Sequence, residues 1–443
     1  MRDNNWLVSE LEFDPQALHH KETVFTIGNG YLGTRGAFEE GYPGDQPATL
    51  VHGVFDDVPL VVTELANVSN WLSFILFVDG ERFRMDRGTV LSYRRELDLR
   101  TGVLTRTLRW RSPAGRTVDL TIERFASLAD RHLLGLRYRV TALDFEGTLE
   151  FRAALDGHVD NDGTIHWRSA DQGAVGQRTV YLHVRARSSG IELCQACHLS
   201  VSGGTDVTYT RLDCEGAPAV TARLAVQPGA QVTAHKLVAL VTSREDDDVC
   251  GAALSRLEAA VAHGYDELRA ANDVAWEAEW EACNVTIEGD DEADLALRYS
   301  LFQLLIAAPR HDERVSIPAK SLSGFGYRGH VFWDTETFVL PFFVFTHPPT
   351  ARALLMYRYN TLPAARDRAA SLGYRGALYA WESTDTGVDL TPPYVINSAG
   401  ERLEILTGEQ EHHISADVAY AVCQYWDATG DDEFVLSAGA EIL

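Results

Sequence analysis

The chain has 443 residues, with 39 Lys plus Arg against 64 Asp plus Glu and a formal net charge of −25. At ~150 residues per domain this is about three domains' worth, enough to bury a large core without disulfide staples. So negative a surface repels phosphate backbones and anionic headgroups, which excludes nucleic acid and membrane as partners.

The N-terminus, Met1-Arg-Asp-Asn-Asn-Trp6, has no apolar h-region. The longest apolar stretch, near Phe338 to Phe345, falls far short of the ~20 residues that span a bilayer. A cytoplasmic location is expected. Next, Gly28-Asn-Gly30-Tyr-Leu-Gly33 matches GxGxxG behind a strand-like Val24-Phe-Thr-Ile27. A dinucleotide-binding turn must open a helix, and Gly36, Gly41, Pro43 and Gly44 break any helix here, so tight loop packing is expected instead.

Strands follow. Val118, Leu120 and Ile122 alternate with polar residues, as do Leu134, Leu136, Tyr138 and Val140, the period-two mark of half-buried strands. Turn clusters at Ser112-Pro-Ala-Gly115, Asp160-Asn-Asp-Gly163, Gly203-Gly204 and Gly229 space them as in a large antiparallel sandwich, placed at residues 1–245. Within it Cys194-Gln-Ala-Cys197-His198 spells the CxxCH of haem attachment, but the exported, helical setting this needs is missing. No two further ligands follow at short spacing, so a zinc site is not expected either. The six cysteines are scattered, which fits a reducing compartment and mostly buried, inert thiols.

The period changes near Arg244-Glu-Asp-Asp-Asp248, and Leu254 to Glu281 has no proline and one glycine, which predicts a helical linker over 246–290. From 291 to 443 an all-α domain is expected. Leu297, Leu301, Leu304, Leu305 and Ala308 recur at helical spacing, and so do Val418, Ala421, Val422, Tyr425 and Trp426 behind Ser415 as a cap.

Its long loops carry the candidate chemistry. Gly324 to Glu336 sets Phe332 and Trp333 beside Asp334 and Glu336. Flat rings cover the apolar face of a sugar while carboxylates accept from its hydroxyls. Burying unpaired carboxylates is costly, so Asp334 and Glu336 among so many bulky apolar residues point to a ligand site rather than to core. Trp381, Glu382 and Asp385 repeat that pairing on a second loop. In the third, Thr407-Gly-Glu-Gln-Glu-His-His413, His413 and Asp417 stand one helical turn apart, open either to a metal or to a hydrogen-bonded helix start. With no additional ligand cluster, no metal is expected. Serine-hydrolase, P-loop and zincin motifs are absent from the sequence.

Phe25-Thr-Ile-Gly-Asn-Gly-Tyr-Leu-Gly-Thr-Arg-Gly36, Ile317-Pro-Ala-Lys320, Gly329-His-Val-Phe-Trp-Asp334 and His413-Ile-Ser-Ala-Asp-Val-Ala-Tyr420 together resemble glycoside hydrolase family 65. Its members are the inverting disaccharide phosphorylases of maltose, trehalose and kojibiose type. The resemblance implies an N-terminal β-supersandwich, a helical linker and the first part of an (α/α)6 barrel. It implies that Trp333 and Asp334 bind the transferred glucosyl unit, while Trp381, Glu382 and the Thr407 to Glu411 segment, with Glu409, line the acceptor side and His413 joins the substrate-binding set. Inorganic phosphate is the implied co-substrate, with no cofactor and no metal. The complete enzyme is implied to be a homo-oligomer. A carboxylic acid protonates the glycosidic oxygen as phosphate attacks C1 from the opposite face, giving β-glucose 1-phosphate. The family's Gly-Pro-Asp-Glu-Tyr segment, which carries that acid, does not occur before Leu443, so no catalytic residue is expected in this chain. Expected with it is the absence of the C-terminal half of the barrel, and of activity. A related hydrolase such as an α,α-trehalase, and a non-catalytic carbohydrate-binding protein, are the alternatives.

Overall fold

The computed structural model describes residues 4–57, 63–397 and 399–443. Residues 1–3, with which the expected β domain begins, lie outside them. The chain forms two compact units, one of Met1–Thr49 with Asn67–Ile306 and one of Leu50–Ala66 with Ala307–Leu443.

In the first unit the alternating runs form a nine-stranded antiparallel sheet. Its centre is Thr117–Ala126, Leu133–Ala142, Gln231–Thr242 and Glu192–Ser202, side by side. Register follows the apolar alternation: Leu120 faces Val140, and Ile122 faces Tyr138. A second sheet of five strands includes Gly147–Ala154 and Phe74–Val78. The two sheets share a core in which Phe74 meets Tyr138 edge-on at 4.8 Å and Phe151 at 6.1 Å. Lys236 is buried in this core, where its ammonium donates to the carbonyls of Ser73 (2.9 Å), Ala154 (2.7 Å) and Trp71.

The large sheet departs from the half-buried expectation. Gly135 and Arg137 on its other face are buried too. Two helices, Val249–His263 and Tyr265–Cys283, cover that face, and Leu257, Ala260 and Tyr265 share a cluster with Phe125 and Leu237. These helices occupy the stretch read as a linker. Gly264, the single glycine between Leu254 and Glu281, ends the first helix at φ 81°, a conformation without steric cost for glycine. Arg137 is neutralised by Glu123 and by Asp266 of the second helix, each at 2.6 Å.

Gly28 and Gly33 pair across a tight antiparallel turn, and Asn29 Oδ1 accepts from the Tyr31 and Leu32 amides within it. No helix opens there, so the turn has no helix N-terminus to offer a pyrophosphate. Cys194 and Cys197 lie on the strand Glu192–Ser202, where a spacing of three turns them to opposite faces, so they cannot jointly hold a haem or a zinc ion. Among the six thiols Cys194, Cys197 and Cys283 are buried, whereas Cys214 and Cys423 are exposed, which narrows the expectation of mostly buried cysteines.

In the second unit, helices Leu340–Thr346, Pro348–Asn360 and Leu362–Ser371 each begin with proline in the first turn, where its missing N–H and fixed φ cost nothing. Helix Ile414–Thr429 ends at left-handed Gly430, whose N–H reaches the Trp426 carbonyl. Its expected cap is corrected: Ser415 lies inside the helix, and its hydroxyl accepts from the Tyr379 N–H at 3.1 Å.

Candidate active site

All three predicted loops lie in the second unit, and neighbouring residues of one helix hold two of them. On Pro348–Asn360, the Arg358 guanidinium binds both carboxylate oxygens of Glu336, at 2.7 and 2.6 Å, and the Phe332 carbonyl at 3.0 Å. This pins the turn that carries Trp333 and Asp334. Tyr357 donates to the Thr384 carbonyl at 2.7 Å and shares a 3.0 Å bond with Ser383, pinning the turn that carries Trp381 and Glu382. Backbone bonds between Val331 and Ser383 join the two segments. Burial works against the Arg358 charge, but Glu336 beside it outweighs burial and holds the guanidinium above its ordinary pKa. Burial pushes the Tyr357 hydroxyl up to about 12.

This corrects part of the sequence reading. Glu336 is a structural carboxylate, fully occupied by Arg358, rather than a ligand group. Asp334 is exposed rather than buried, and no partner holds it among the described residues.

Arg368 on Leu362–Ser371 ties in the third loop. It donates to the Tyr379 carbonyl at 2.7 Å and to the Gly408 carbonyl, and pairs with Asp389 at 2.8 Å. The loop then delivers His413 to the other two. Trp333 lies edge-on to the imidazole at 4.6 Å, and Trp381 at 6.2 Å. Around the ring, Asp417 Oδ2 stands 2.6 Å from Nδ1 and Glu411 Oε2 stands 3.2 Å from Nε2. The His413–Asp417 pair is thus a side-chain hydrogen bond. Among the described residues no group of three His, Cys, Asp or Glu side chains has the geometry to hold a metal.

The structure therefore gathers Trp333, Trp381, His413 and Glu411. Thr407 and Glu409 lie on the single turn Thr407–Gln410, with the Thr407 hydroxyl buried without a partner among the described residues and Glu409 exposed. Glu382 is buried next to Trp381. Close to its carboxylate stands His330, with Nδ1 at 3.4 Å from Oε2.

The residues missed from sequence are Tyr357, Arg358, Arg368 and His330. One local signal marks the last. Tyr327 and Arg328, just before it, both adopt left-handed backbone at φ 53° and 56°, which costs non-glycine residues about 1–2 kcal/mol each. Chemically, two indoles and an imidazole beside carboxylates can cover the apolar face of a pyranose and accept from its hydroxyls.

Over residues 8–279 the sequence matches the N-terminal domain of glycosyl hydrolase family 65, and over 298–443 that family's central catalytic domain. The chain belongs to glycosyl hydrolase family 65. A kojibiose phosphorylase of Halothermothrix orenii is 37% identical over 99% of this chain and 58% of its own length. An α,α-trehalose phosphorylase of Thermoanaerobacter brockii is 31% identical over 99% of the chain and 59% of its own length. A solved structure of a candidate kojibiose phosphorylase from the human microbiome shares the fold at a TM-score of 0.87 and 23% identity, covering 99% of this chain and 58% of that one. The chain thus spans under two thirds of the length of these family 65 relatives.

Proposed function

We propose that this chain is the substrate-recognising portion of an inverting disaccharide phosphorylase that cleaves an α-glucosyl disaccharide of kojibiose, trehalose or maltose type. The Trp333–His413–Trp381 cluster with its carboxylates carries the reading, in a chain whose relatives are named for that activity. Trp333 and Asp334 hold the glucosyl unit. Trp381, Glu382, Thr407, Glu409, Glu411 and His413 line the acceptor side. Inorganic phosphate is the co-substrate, and neither cofactor nor metal takes part. A carboxylic acid outside these 443 residues protonates the glycosidic oxygen while phosphate, already anionic, attacks C1 without needing a base. At the level of architecture the reading takes the two sheets as a β-supersandwich and the second unit as part of an (α/α)6 barrel, in a cytoplasmic homo-oligomer.

Asp334, exposed and unpartnered among the described residues, is free to accept from sugar hydroxyls, and such a bond tightens as charge develops at C1. The full-length protein, given kojibiose, trehalose and maltose, is expected to release β-glucose 1-phosphate only when phosphate is present. Asp334→Asn is expected to lower kcat/KM at least ~100-fold, about 2.7 kcal/mol. The 443-residue chain alone is expected to be inactive. Glucose release without phosphate would favour a hydrolase, and wild-type kinetics in Asp334→Asn would remove its donor role.

A further inference from the structure

Glu382 carries a demand that the family assignment leaves unanswered. Its side chain is 9% exposed, and among the described residues no aligned hydrogen-bond donor meets its carboxylate. A buried carboxylate left this way keeps accepting capacity for a ligand but has little to hold it in one rotamer. Among the described residues the one group within ion-pair distance is the His330 imidazole.

His330 is itself closely held. It is 1% exposed, and its Nε2 lies 2.6 Å from the Thr63 carbonyl. A carbonyl only accepts, so Nε2 carries a hydrogen; Nδ1, buried without an aligned hydrogen-bond partner among the described residues, is the atom turned towards Glu382, and it meets that carboxylate as a donor when it carries a hydrogen too. The ring is delivered by the strained turn Tyr327-Arg328-Gly329, whose last residue has φ 75°. A Cβ at Gly329 would stand 2.5 Å from the Leu65 Cβ, so the turn is pressed against the antiparallel pair Phe55–Asp56 and Glu64–Leu65. Arg328 reaches Glu64 of that pair at 3.5 Å, and Thr63, which receives the imidazole, immediately precedes it. Strained backbone persists where the surroundings over-determine it, and such places concentrate at functional sites. Every contact here fixes one object, the direction of the His330 ring.

We propose that His330 is a positioning residue that sets the Glu382 carboxylate for the acceptor sugar, anchored by Thr63 and by the strained turn before it. Because it rests on the acceptor role of Glu382, the test separates the two. In the full-length protein, glucose binding is followed by tryptophan fluorescence, and reverse kinetics are measured with β-glucose 1-phosphate and glucose. The amide of His330→Gln can replace Nε2 and keep the Thr63 bond while offering nothing to Glu382. The amide of His330→Asn stands near Nδ1 and can still donate to Glu382.

His330→Gln is expected to weaken glucose binding and raise the glucose KM at least tenfold, with the KM for β-glucose 1-phosphate within about twofold of wild type. His330→Asn is expected to restore glucose binding to within about threefold. Glu382→Gln should reproduce the phenotype of His330→Gln. Equal losses for both His330 variants, equal effects on both substrates, or no effect of either would overturn the positioning role. An unchanged glucose KM in Glu382→Gln, or no glucose binding by the wild type, would overturn the acceptor assignment and the positioning role with it. Thermal midpoints of all variants distinguish a folding defect, which would appear as loss of both substrates together.

Discussion

Arg358 shows how a single residue can support a binding surface without belonging to it. It is 1% exposed, as is Glu336, and the pair is closed on both sides by two N–H···O bonds. Taking both charges out of water costs about what their attraction returns, so the pair adds little net stability. Removing one partner is different, because the other stays buried and uncompensated. Arg358→Met and Glu336→Gln are each expected to destabilise the second unit by about 3–5 kcal/mol, lowering its thermal midpoint by roughly 6 °C or more. The double substitution should recover much of that loss, and calorimetry of the three variants measures the coupling. A midpoint change under about 2 °C in either single variant would contradict the closed geometry. This residue also marks the limit of what the sequence discloses. Trp333, Trp381 and His413 stand out because rings and carboxylates crowd long glycine-rich loops. In Met356-Tyr-Arg-Tyr-Asn360 nothing distinguishes Arg358 from an ordinary solvated helix residue. Its partners Phe332 and Glu336 are 26 and 22 residues away, and only the fold reveals that the charge is buried.

Among elements, the contact of the strand Gln231–Thr242 with the helix Tyr265–Cys283 carries a pH dependence. His235 stacks on Tyr265 at 4.8 Å with the rings 13° apart. Burial first, then the positive charges of Arg137 and Arg139, push the imidazole down to about 4, against weaker opposition from Asp266 and Glu123. The unfolded chain titrates near the ordinary value of about 6.5 and so binds more protons between about pH 6.5 and 4. Stability from the neutral stack is therefore complete above pH 6.5 and lost as pH falls towards 4. Between pH 7 and 5 the loss is about 1 kcal/mol after discounting for the partial exposure of His235. His235→Phe keeps the stack without the titration, so its stability relative to wild type should rise by that amount from pH 7 to pH 5 in urea titrations. A constant difference across the range would show that His235 does not stay neutral. The neighbouring strand Leu133–Ala142, which carries Arg137, was legible from alternation, because period-two patterning is local. That two helices would close the outer face was not: Arg137 reads as a solvent-facing residue until Asp266, 129 positions later, pairs with it.

For the whole molecule, the distribution of apolar surface separates the two units. The first exposes few large hydrophobic residues, scattered singly, as is normal for soluble proteins. The second exposes many, among them Phe345 at 71%, Tyr420 at 60% and Leu436 at 84%. Exposed apolar surface beyond a few hundred Å² is unusual on soluble monomers and drives association. Net charge of −25 opposes that association at low ionic strength and loses its reach as salt shortens the Debye length to about 8 Å. The 443-residue chain is therefore expected to bind 8-anilinonaphthalene-1-sulfonate and to self-associate as salt is raised from about 10 mM to 150 mM, where screening removes the long-range repulsion. Light scattering after size exclusion measures the association, and dye fluorescence the surface. Combined Phe345→Glu and Leu436→Glu substitutions should reduce both signals, since neither side chain is buried and each gains a solvated charge. A dye-negative monomer at both salt concentrations would show that these residues do not form a continuous apolar surface. Association unaffected by the double substitution would place the sticky surface elsewhere on the second unit, with Tyr420 the next residue to replace.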